Sequence, residues 1–190
     1  MQIEYEATFL NVDKEAVRNN FKKAGAKLIK PEVFMHRYTF TLPKNNEIAG
    51  SWLRVRDEGG KITMSIKIVD GEKIGNQKEI CLTVDDMKQA VDFLGIIGCR
   101  QKSYQETKRE TWELDGVVIT IDTWPFLETF VEVEGQSEKA VKSVSEKIGF
   151  DYAQAKFCAV GSLYQDKYKI PQDIINNHTP EITFAKNPFI

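Results

Sequence analysis

The feature that most constrains the fold of this chain is a regular alternation of apolar and polar residues in eight short segments. These segments are residues 3–10, 33–42, 51–57, 62–69, 79–84, 103–114, 117–123 and 130–134. An alternation with a period of two places successive side chains on opposite faces of a β-strand. The turn signals Glu58-Gly59-Gly60 and Asp115-Gly116 join neighbouring segments as hairpins. The pattern therefore predicts about eight strands, mainly antiparallel.

Three other segments have the apolar spacing of amphipathic helices, and they lie at residues 13–24, 84–97 and 138–148. Each begins next to a residue that favours a helix N-terminus and is followed by a glycine. We expect these helices to cover the apolar faces of the strands. The three tryptophans are expected to pack in the core or at a rim of the fold rather than to bind a ligand: Trp52, Trp112 and Trp124.

Length and composition predict one globular domain over residues 1–169, followed by a tail over residues 170–190. Of the 190 residues, 42% are hydrophobic and 28% are charged, which is the balance of a folded protein and not of a disordered one. The tail contains Pro171, Pro180 and Pro188. It is predicted to be irregular, apart from a short added strand at residues 182–185.

Charge and the scarcity of some residue types exclude several classes of function. The 26 basic and 28 acidic residues give a net charge of −2, which argues against general nucleic-acid binding. No apolar run approaches the roughly 18 residues of a membrane span, and the N-terminus lacks signal-peptide features. We therefore expect a cytoplasmic protein with no membrane partner and with its three cysteines reduced. A zinc site or a Ser-His triad is hard to build from His36 and His178 alone.

The polar faces of the predicted strands carry many charges. They hold five cations and six acids, namely Arg37, Arg54, Arg56, Lys67 and Arg109, and Glu4, Glu6, Glu79, Asp122, Glu132 and Glu134. An open sheet with one solvated face would show the same alternation. However, arginine outnumbers lysine, and arginine is the better bidentate ligand for phosphate. If the sheet closes, these residues line a lumen that suits Mg²⁺ or Mn²⁺ together with a polyphosphate.

The same charges fall within short motifs that resemble those of the CYTH superfamily, also called triphosphate tunnel metalloenzymes. The motifs are Glu4-Tyr5-Glu6, Trp52-Leu53-Arg54-Val55-Arg56-Asp57, Ser65-Ile66-Lys67, Lys78-Glu79, Tyr104-Gln105-Glu106, Lys108-Arg109-Glu110, Ile121-Asp122, Trp124-Pro125 and Phe130-Val131-Glu132-Val133-Glu134-Gly135. The resemblance spans residues 2–168 and is strongest to the class IV adenylate cyclase-like subgroup. It implies an α+β fold, in which a closed eight-stranded antiparallel β-barrel, the triphosphate tunnel, has helices packed outside.

The resemblance also implies roles for individual residues. The acids that would hold Mg²⁺ or Mn²⁺ are Glu4, Glu6, Asp122, Glu132 and Glu134. Substrate binding would fall to Arg37, Arg54, Arg56, Lys67, Glu79 and Arg109. The catalytic set would be Glu4, Glu6, Arg109 and the residue at position 8, which is Thr8 in this chain. Lys156 corresponds loosely to a C-terminal cation that enters the tunnel in relatives.

Position 8 departs from the family's pattern. The opening motif of the family is Glu-x-Glu-x-Lys, and Thr8 in place of the lysine brings no charge. The resemblance implies first an adenylate cyclase-like conversion of ATP to cyclic AMP and pyrophosphate. Two alternatives are kept open: a triphosphatase acting on tripolyphosphate, nucleoside or thiamine triphosphate, and, because of Thr8, a non-catalytic triphosphate-binding module. In each case the partner is a small-molecule triphosphate. The sequence leaves open whether the chain forms a homodimer.

Overall fold

The computed structural model describes residues 1–71 and 73–190. Within these residues it contains nine β-strands and five α-helices. The strands are β1 (Gln2–Phe9), β2 (Lys27–Phe40), β3 (Ser51–Asp57), β4 (Ile62–Val69), β5 (Gln77–Val84), β6 (Gln101–Leu114), β7 (Val117–Thr123), β8 (Phe130–Gly135) and β9 (Glu181–Ile182). The helices are α1 (Lys14–Ala24), α2 (Met87–Ile96), α3 (Glu138–Lys147), α4 (Val160–Tyr168) and α5 (Gln172–Asn177).

The first eight strands form a closed antiparallel barrel. Neighbouring strands follow the order β2-β3-β4-β5-β1-β8-β7-β6, and β6 pairs back onto β2 to close the ring. This closing pair is long, since it runs from Lys27 opposite Glu113 to Phe40 opposite Gln101. The predicted closed barrel of an α+β fold is therefore confirmed, and the alternative of an open sheet is excluded.

Closure turns the polar strand faces inward and leaves the apolar faces to be covered from outside. Helix α3 packs on β1, β7 and β8, and α1 joins the same apolar cluster through Val17 and Phe21. The helix ends agree with the sequence, because the Asp13 carboxylate accepts a hydrogen bond from the Ala16 amide and the Ser137 hydroxyl caps α3. The helices predicted at residues 13–24 and 138–148 are thus confirmed.

Helix α2 covers only part of the remaining apolar surface. It begins three residues later than predicted, because the Asp86 side chain caps its first turn. Its buried residues Ala90 and Leu94 pack on β2 and β3. On β5, Ile80 and Leu82 face outward and remain 46% and 53% exposed. The expectation that three helices would cover every apolar face is therefore wrong for β5.

The region after residue 158 is more ordered than the sequence indicated. It forms α4 and α5, which were not predicted, and β9, which adds to β6 as a parallel strand close to the expected position. Tyr164 of α4 is completely buried, and its hydroxyl donates a 2.7 Å hydrogen bond to the Pro125 carbonyl oxygen. Ile175 and Ile182 are buried in the same cluster. The tail is thus docked against one end of the barrel.

The helices of the described residues are short relative to the thickness of a lipid bilayer. None of them combines the length and the apolar character that a membrane-spanning helix needs. The longest, α1, has 11 residues and carries charged side chains at both ends.

Candidate active site inside the barrel

The inward faces of the strands enclose a cavity of about 980 Å³. All five predicted cations line it: Arg37, Arg54, Arg56, Lys67 and Arg109. Five predicted acids line it as well: Glu4, Glu6, Glu79, Glu132 and Glu134. The other two predicted site residues, Asp122 and Thr8, lie in the wall outside this lining and are only 1% and 2% exposed.

Three of the cations and four of the acids lie on opposite sides of the cavity. Arg37 belongs to β2, and Arg54 and Arg56 belong to β3. In the ring of eight strands, β1 lies four positions from β2, and β8 lies four positions from β3. We call the three arginines the basic wall, and we call the glutamates of β1 and β8 the acidic wall: Glu4, Glu6, Glu132 and Glu134. The two walls therefore face each other across the barrel.

Both walls contain like charges as direct cross-strand neighbours. Arg37 is the register partner of Arg56, and Glu6 is the register partner of Glu134. Like charges placed directly opposite each other destabilise a sheet. A ligand with an anionic part and a cationic part would relieve the repulsion in both walls at once.

Two arginines of the basic wall are deeply buried. The Nε atom of Arg37 donates a 2.8 Å hydrogen bond to Gln105 Oε1, and its guanidinium lies 4.2 Å from the ring centroid of Trp124. Burial holds the pKa of Arg37 well below its usual range, and the neighbouring arginines add to this effect. Burial lowers the pKa of Arg56 to about 10, although Glu58 accepts a 2.9 Å hydrogen bond from its Nε atom. An incoming anion would stabilise both charges.

Four residues connect the two walls along β3, β4, β5 and β1. Lys67 Nζ lies 2.9 Å from Glu4 Oε2, and Arg54 Nη2 lies 3.0 Å from Glu79 Oε1. Burial raises the pKa of Glu4, and a hydrogen bond with Glu79 raises it further. Burial would also raise the pKa of Glu79, but Glu4, Lys67 and Arg54 together lower it. The surroundings of the pair therefore favour a negative charge on Glu79 more than on Glu4.

Arg109 is fixed between two acids. Its Nε atom lies 2.7 Å from Asp122 Oδ1, and its Nη2 atom lies 2.6 Å from Glu132 Oε2. Thr120 donates a hydrogen bond to the other oxygen of Asp122. Burial raises the pKa of Glu132, and repulsion from Glu6 and Asp122 adds to it. The structure thus places Asp122 behind Arg109, as its anchor, whereas the sequence grouped it with the metal-binding acids.

The acidic wall was tested for its fit to a hard divalent cation. Within residues 1–71 and 73–190, no three acidic, histidine or cysteine side chains converge into a preassembled metal cage. Glu4 Oε2 is nevertheless buried and accepts no hydrogen bond from the described residues, although Lys67 Nζ lies 2.9 Å from it. Carboxylate oxygens are the ligands that Mg²⁺ and Mn²⁺ prefer. The carboxylates of Glu4, Glu6 and Glu132 fit such a cation in their donor atoms, and the cation would compete with Lys67 for Glu4 and with Arg109 for Glu132.

Thr8 has a cationic residue, Lys156, beside it. It pairs with Glu132 on one side and forms an isolated antiparallel bridge with Lys156 on the other. Both backbone hydrogen bonds of that bridge are 2.9 Å long. Directly paired residues of antiparallel strands share one face, so Lys156 lies on the cavity side, where its Nζ atom is 2.6 Å from Asp166. Lys156 is the cation next to the position where the family's lysine is missing.

The two ends of the cavity differ. At one end Met35, Thr63 and Thr107 face inward, are at most 4% exposed and lie outside the cavity lining, so side chains fill the lumen there. At the other end the lining includes Trp52 at the start of β3 and residues of α4 and α5. We call this second end the mouth. A ligand that enters by the mouth meets Trp52 first, then Arg54 and then Arg56 along β3.

Sequence reasoning missed several residues that shape the site. Gln105 supports Arg37 and shares the inward face of β6 with Arg109, so its position in the alternation could have identified it. Glu58 holds Arg56 from a turn, where no strand pattern applies. Asp166 and the lining residues of α5 come from helices that were not predicted.

A sequence model of the CYTH domain matches residues 2–158. Together with the closed barrel and its two charged walls, this match shows that the chain belongs to the CYTH family. Enzymes of this family process triphosphates and depend on a divalent metal. No curated protein matches the sequence.

Solved structures share the fold at low sequence identity. The PH1012 protein from Pyrococcus horikoshii OT3 is 19% identical, with a TM-score of 0.69 over 86% of this chain and 99% of that chain. A Vibrio parahaemolyticus protein provisionally named an adenylate cyclase is 13% identical, with a TM-score of 0.72 over 86% and 98%. HpAC1 from Hippeastrum, provisionally named an adenylyl cyclase and described as having a dominant triphosphatase activity, is 14% identical, with a TM-score of 0.58 over 91% and 99%. At these identities the likeness concerns the fold alone.

Proposed function

We propose that this protein is a divalent-metal-dependent triphosphatase, which hydrolyses the terminal phosphoanhydride bond of a triphosphate. The observation that carries the proposal is the opposition of the basic and acidic walls within one cavity. Phosphate oxygens would bind to the basic wall, and a divalent cation would bind to the acidic wall. Membership of the CYTH family supports this reading.

The phosphate-binding side chains are already oriented. Arg37 is held by Gln105 and Trp124, and Arg109 is held by Asp122 and Glu132. Because these contacts fix the guanidinium groups before a ligand arrives, binding would lose little side-chain entropy. Preoriented donors in a buried site also stabilise developing charge more strongly than water does.

The four glutamates of the acidic wall would hold Mg²⁺ or Mn²⁺ through their carboxylate oxygens. The bound cation would neutralise phosphate charge and polarise phosphate oxygens. Asp122 is left out of this ligand set because Arg109 and Thr120 occupy its two oxygens. Its proposed task is to position Arg109.

The placement of the carboxylates favours hydrolysis over cyclisation. The glutamates lie in the charged part of the cavity, where the terminal phosphate of a ligand entering by the mouth would come to rest. A carboxylate there can orient a water molecule toward that phosphate. Cyclisation needs a base near the ribose at the mouth. Asp166 of α4, which is part of the lining there, is already paired with Lys156.

Two further functions have support from specific observations. Conversion of ATP to cyclic AMP is supported by the fold shared with the Vibrio parahaemolyticus protein and by the adenylate cyclase-like motifs. A non-catalytic triphosphate-binding module is supported by Thr8, which removes a charge from the wall. Both readings use the same cavity, so one experiment separates all three.

The test is an analysis of products. Purified protein is incubated with Mg²⁺ or Mn²⁺ and, separately, with tripolyphosphate, ATP and thiamine triphosphate, and phosphate, pyrophosphate and cyclic AMP are resolved. We expect orthophosphate, and we expect Arg54→Met to lower its rate of formation. Cyclic AMP with pyrophosphate would show a cyclase. Absence of turnover together with a ligand-induced rise in melting temperature would show a binding module.

We also propose that the protein acts in the cytoplasm on a small-molecule triphosphate. The cysteines support this location, since Cys81, Cys99 and Cys158 are all free thiols. The net charge of −2 offers no basis for nucleic-acid binding. Fractionation of cells that produce the native chain would check the location.

A further inference from the structure

Trp52 differs from the other two tryptophans. Trp112 and Trp124 are 4% and 5% exposed and belong to apolar clusters. Trp52 is only partly buried and lines the cavity. Among the described residues it belongs to none of the three apolar clusters and stacks on no other aromatic ring. The indole therefore has a side that faces the cavity and is not used for packing.

The position of Trp52 relates it directly to the phosphate-binding residues. It lies on the inward face of β3, two residues before Arg54, and its register partner is Lys67. Two residues correspond to about 7 Å along a strand. The ring thus stands at the mouth, next to the charged part of the cavity. This is where the group that follows the innermost phosphates of a bound ligand would lie.

Helix α5 brings neutral polar side chains to the same mouth. Gln172, Asn176 and Asn177 all line the cavity. The Gln172 amide donates a 2.7 Å hydrogen bond to Ser162, which leaves its carbonyl oxygen free to accept. A Cβ at residue 161 would lie 2.5 Å from the Oδ1 atom of Asn176, so Gly161 allows this asparagine to lie close to α4. None of these residues lies within the 2–158 match to the CYTH domain.

The chemistry of the mouth is unlike that of the charged walls. An indole face can stack on a planar group, and three side-chain amides can both donate hydrogen bonds to such a group and accept them from it. Lys102 also lines the mouth, and it disfavours a cationic group there. The cavity volume of about 980 Å³ reaches the upper end of the roughly 300–1,000 Å³ found for organic-ligand pockets, which is more than an inorganic triphosphate needs.

We propose that Trp52 and the α5 amides form a subsite for the base of a nucleoside triphosphate. The base stacks on the indole, its polar edge meets Gln172, Asn176 and Asn177, and the triphosphate points inward between the two walls. This inference rests on the proposed function, because it assigns the organic part of a ligand whose phosphates occupy the charged cavity. It makes the tail a determinant of substrate choice.

The experiment compares two ligands in direct binding, so it does not depend on turnover. Dissociation constants are measured by calorimetry for a non-hydrolysable ATP analogue and for tripolyphosphate, each with Mg²⁺. In the unaltered protein we expect tighter binding of the ATP analogue. Trp52→Leu should shift the ratio of the two constants toward tripolyphosphate by about tenfold or more, which is the usual loss when a base loses its aromatic partner. Phe93→Leu, at a 55% exposed aromatic on α2 outside the cavity, is the matched control.

A second variant tests the tail independently of the indole. Asn176→Ala combined with Gln172→Ala alters exposed side chains, so it should fold, and it should shift the same ratio in the same direction. Asn19→Ala, on the exposed surface of α1, is its control. An unchanged ratio in both test variants would overturn the subsite, and so would tighter binding of thiamine triphosphate, whose ring is cationic. If neither the ATP analogue nor tripolyphosphate binds, the proposed function itself fails.

Discussion

Arg37 and Arg56 are register partners on adjacent strands, and their guanidinium groups share the inward face of the barrel. Each has its pKa lowered, chiefly by burial and then by neighbouring arginines. The fold therefore maintains an electrostatic repulsion that a polyanion would remove. The same holds on the far wall, where Glu6 and Glu134 are partners and a divalent cation would have the same effect.

Polyphosphate binding should consequently raise the melting temperature. At a ligand concentration of about 100 times Kd, the gain is about 2.7 kcal/mol, which corresponds to roughly 5–10 °C for a chain of this size. The measurement is a thermal melt with tripolyphosphate and Mg²⁺. Sodium chloride at the same ionic strength is the control, and an equal rise with the salt would contradict a specific site.

Arg37→Met should separate binding from stability. In the described part of the chain no carboxylate lies within ion-pairing distance of Arg37, so removing its charge leaves no acid unpaired. We expect affinity for tripolyphosphate to fall by about tenfold or more, because a hydrogen bond to a charged group contributes about 1.5–3 kcal/mol. The melting temperature should stay the same or rise. A large drop in melting temperature would show that Arg37 is structural.

Arg109→Met should behave in the opposite way. Its removal would leave Asp122 buried with no cation, and Glu132 would lose its hydrogen-bonded partner. Breaking a buried ion pair on one side destabilises a protein by about 3–5 kcal/mol. Urea unfolding of the ligand-free protein measures this loss. Stability equal to that of Arg37→Met would argue against the anchoring role assigned to Asp122.

A lysine at position 8 should partly replace Lys156 in the binding of tripolyphosphate. Lys156→Met removes the cation beside Thr8, so we expect weaker tripolyphosphate binding, by about tenfold. Thr8→Lys adds a cation on the same face of the wall and should restore binding in the double variant. The check is the dissociation constant of all four proteins. Additive effects with no rescue would mean that the two positions serve different parts of the ligand.

Glu110 lies outside the cavity lining, and its ionisation should make the free energy of unfolding depend on pH. Burial would raise the pKa of Glu110, but hydrogen bonds from Arg18 and Trp112 outweigh burial and lower it. A carboxyl with a lowered pKa stabilises the fold above its unfolded value of 4.5, and this contribution is lost as pH falls through the folded value. Glu110→Gln should therefore lose less stability than the unaltered protein between about pH 7 and pH 3. Parallel urea titrations at both pH values measure the difference.

Local patterns predicted the inward-facing charges because alternation needs only the order of residues along each strand. Local patterns could not predict closure of the barrel, because closure depends on the pairing of β2 with β6. The paired residues of these two strands are at least 61 positions apart in the sequence. Asp122 was grouped with the metal-binding acids because the alternation shows which face a residue shares and not which side chain it contacts. In the folded chain the Oδ1 atom of Asp122 lies 2.7 Å from Arg109 Nε, a contact that the alternation does not report.

Helices α4 and α5 were not predicted, for local reasons as well. Helix α4 starts after Ala159 without a side-chain cap, and α5 has six residues between Pro171 and His178. Both are held mainly by tertiary packing on Trp124 and Phe130, which no local pattern reports. Alternation places Trp52 on the same face as Arg54, but it does not report that the indole belongs to none of the three apolar clusters of the described residues.

The pairing of β2 with β6, which we call the seam, also links ligand binding to the stability of the barrel wall. The basic and acidic walls face each other only while that seam is closed, because it is the pairing that turns the sheet into a ring. If the seam opened, the basic wall, which would bind the phosphates, would move away from the acidic wall, which would bind the metal. A bound ligand must therefore slow the exchange of the amide protons along β2 and β6 with solvent, including those far from any phosphate.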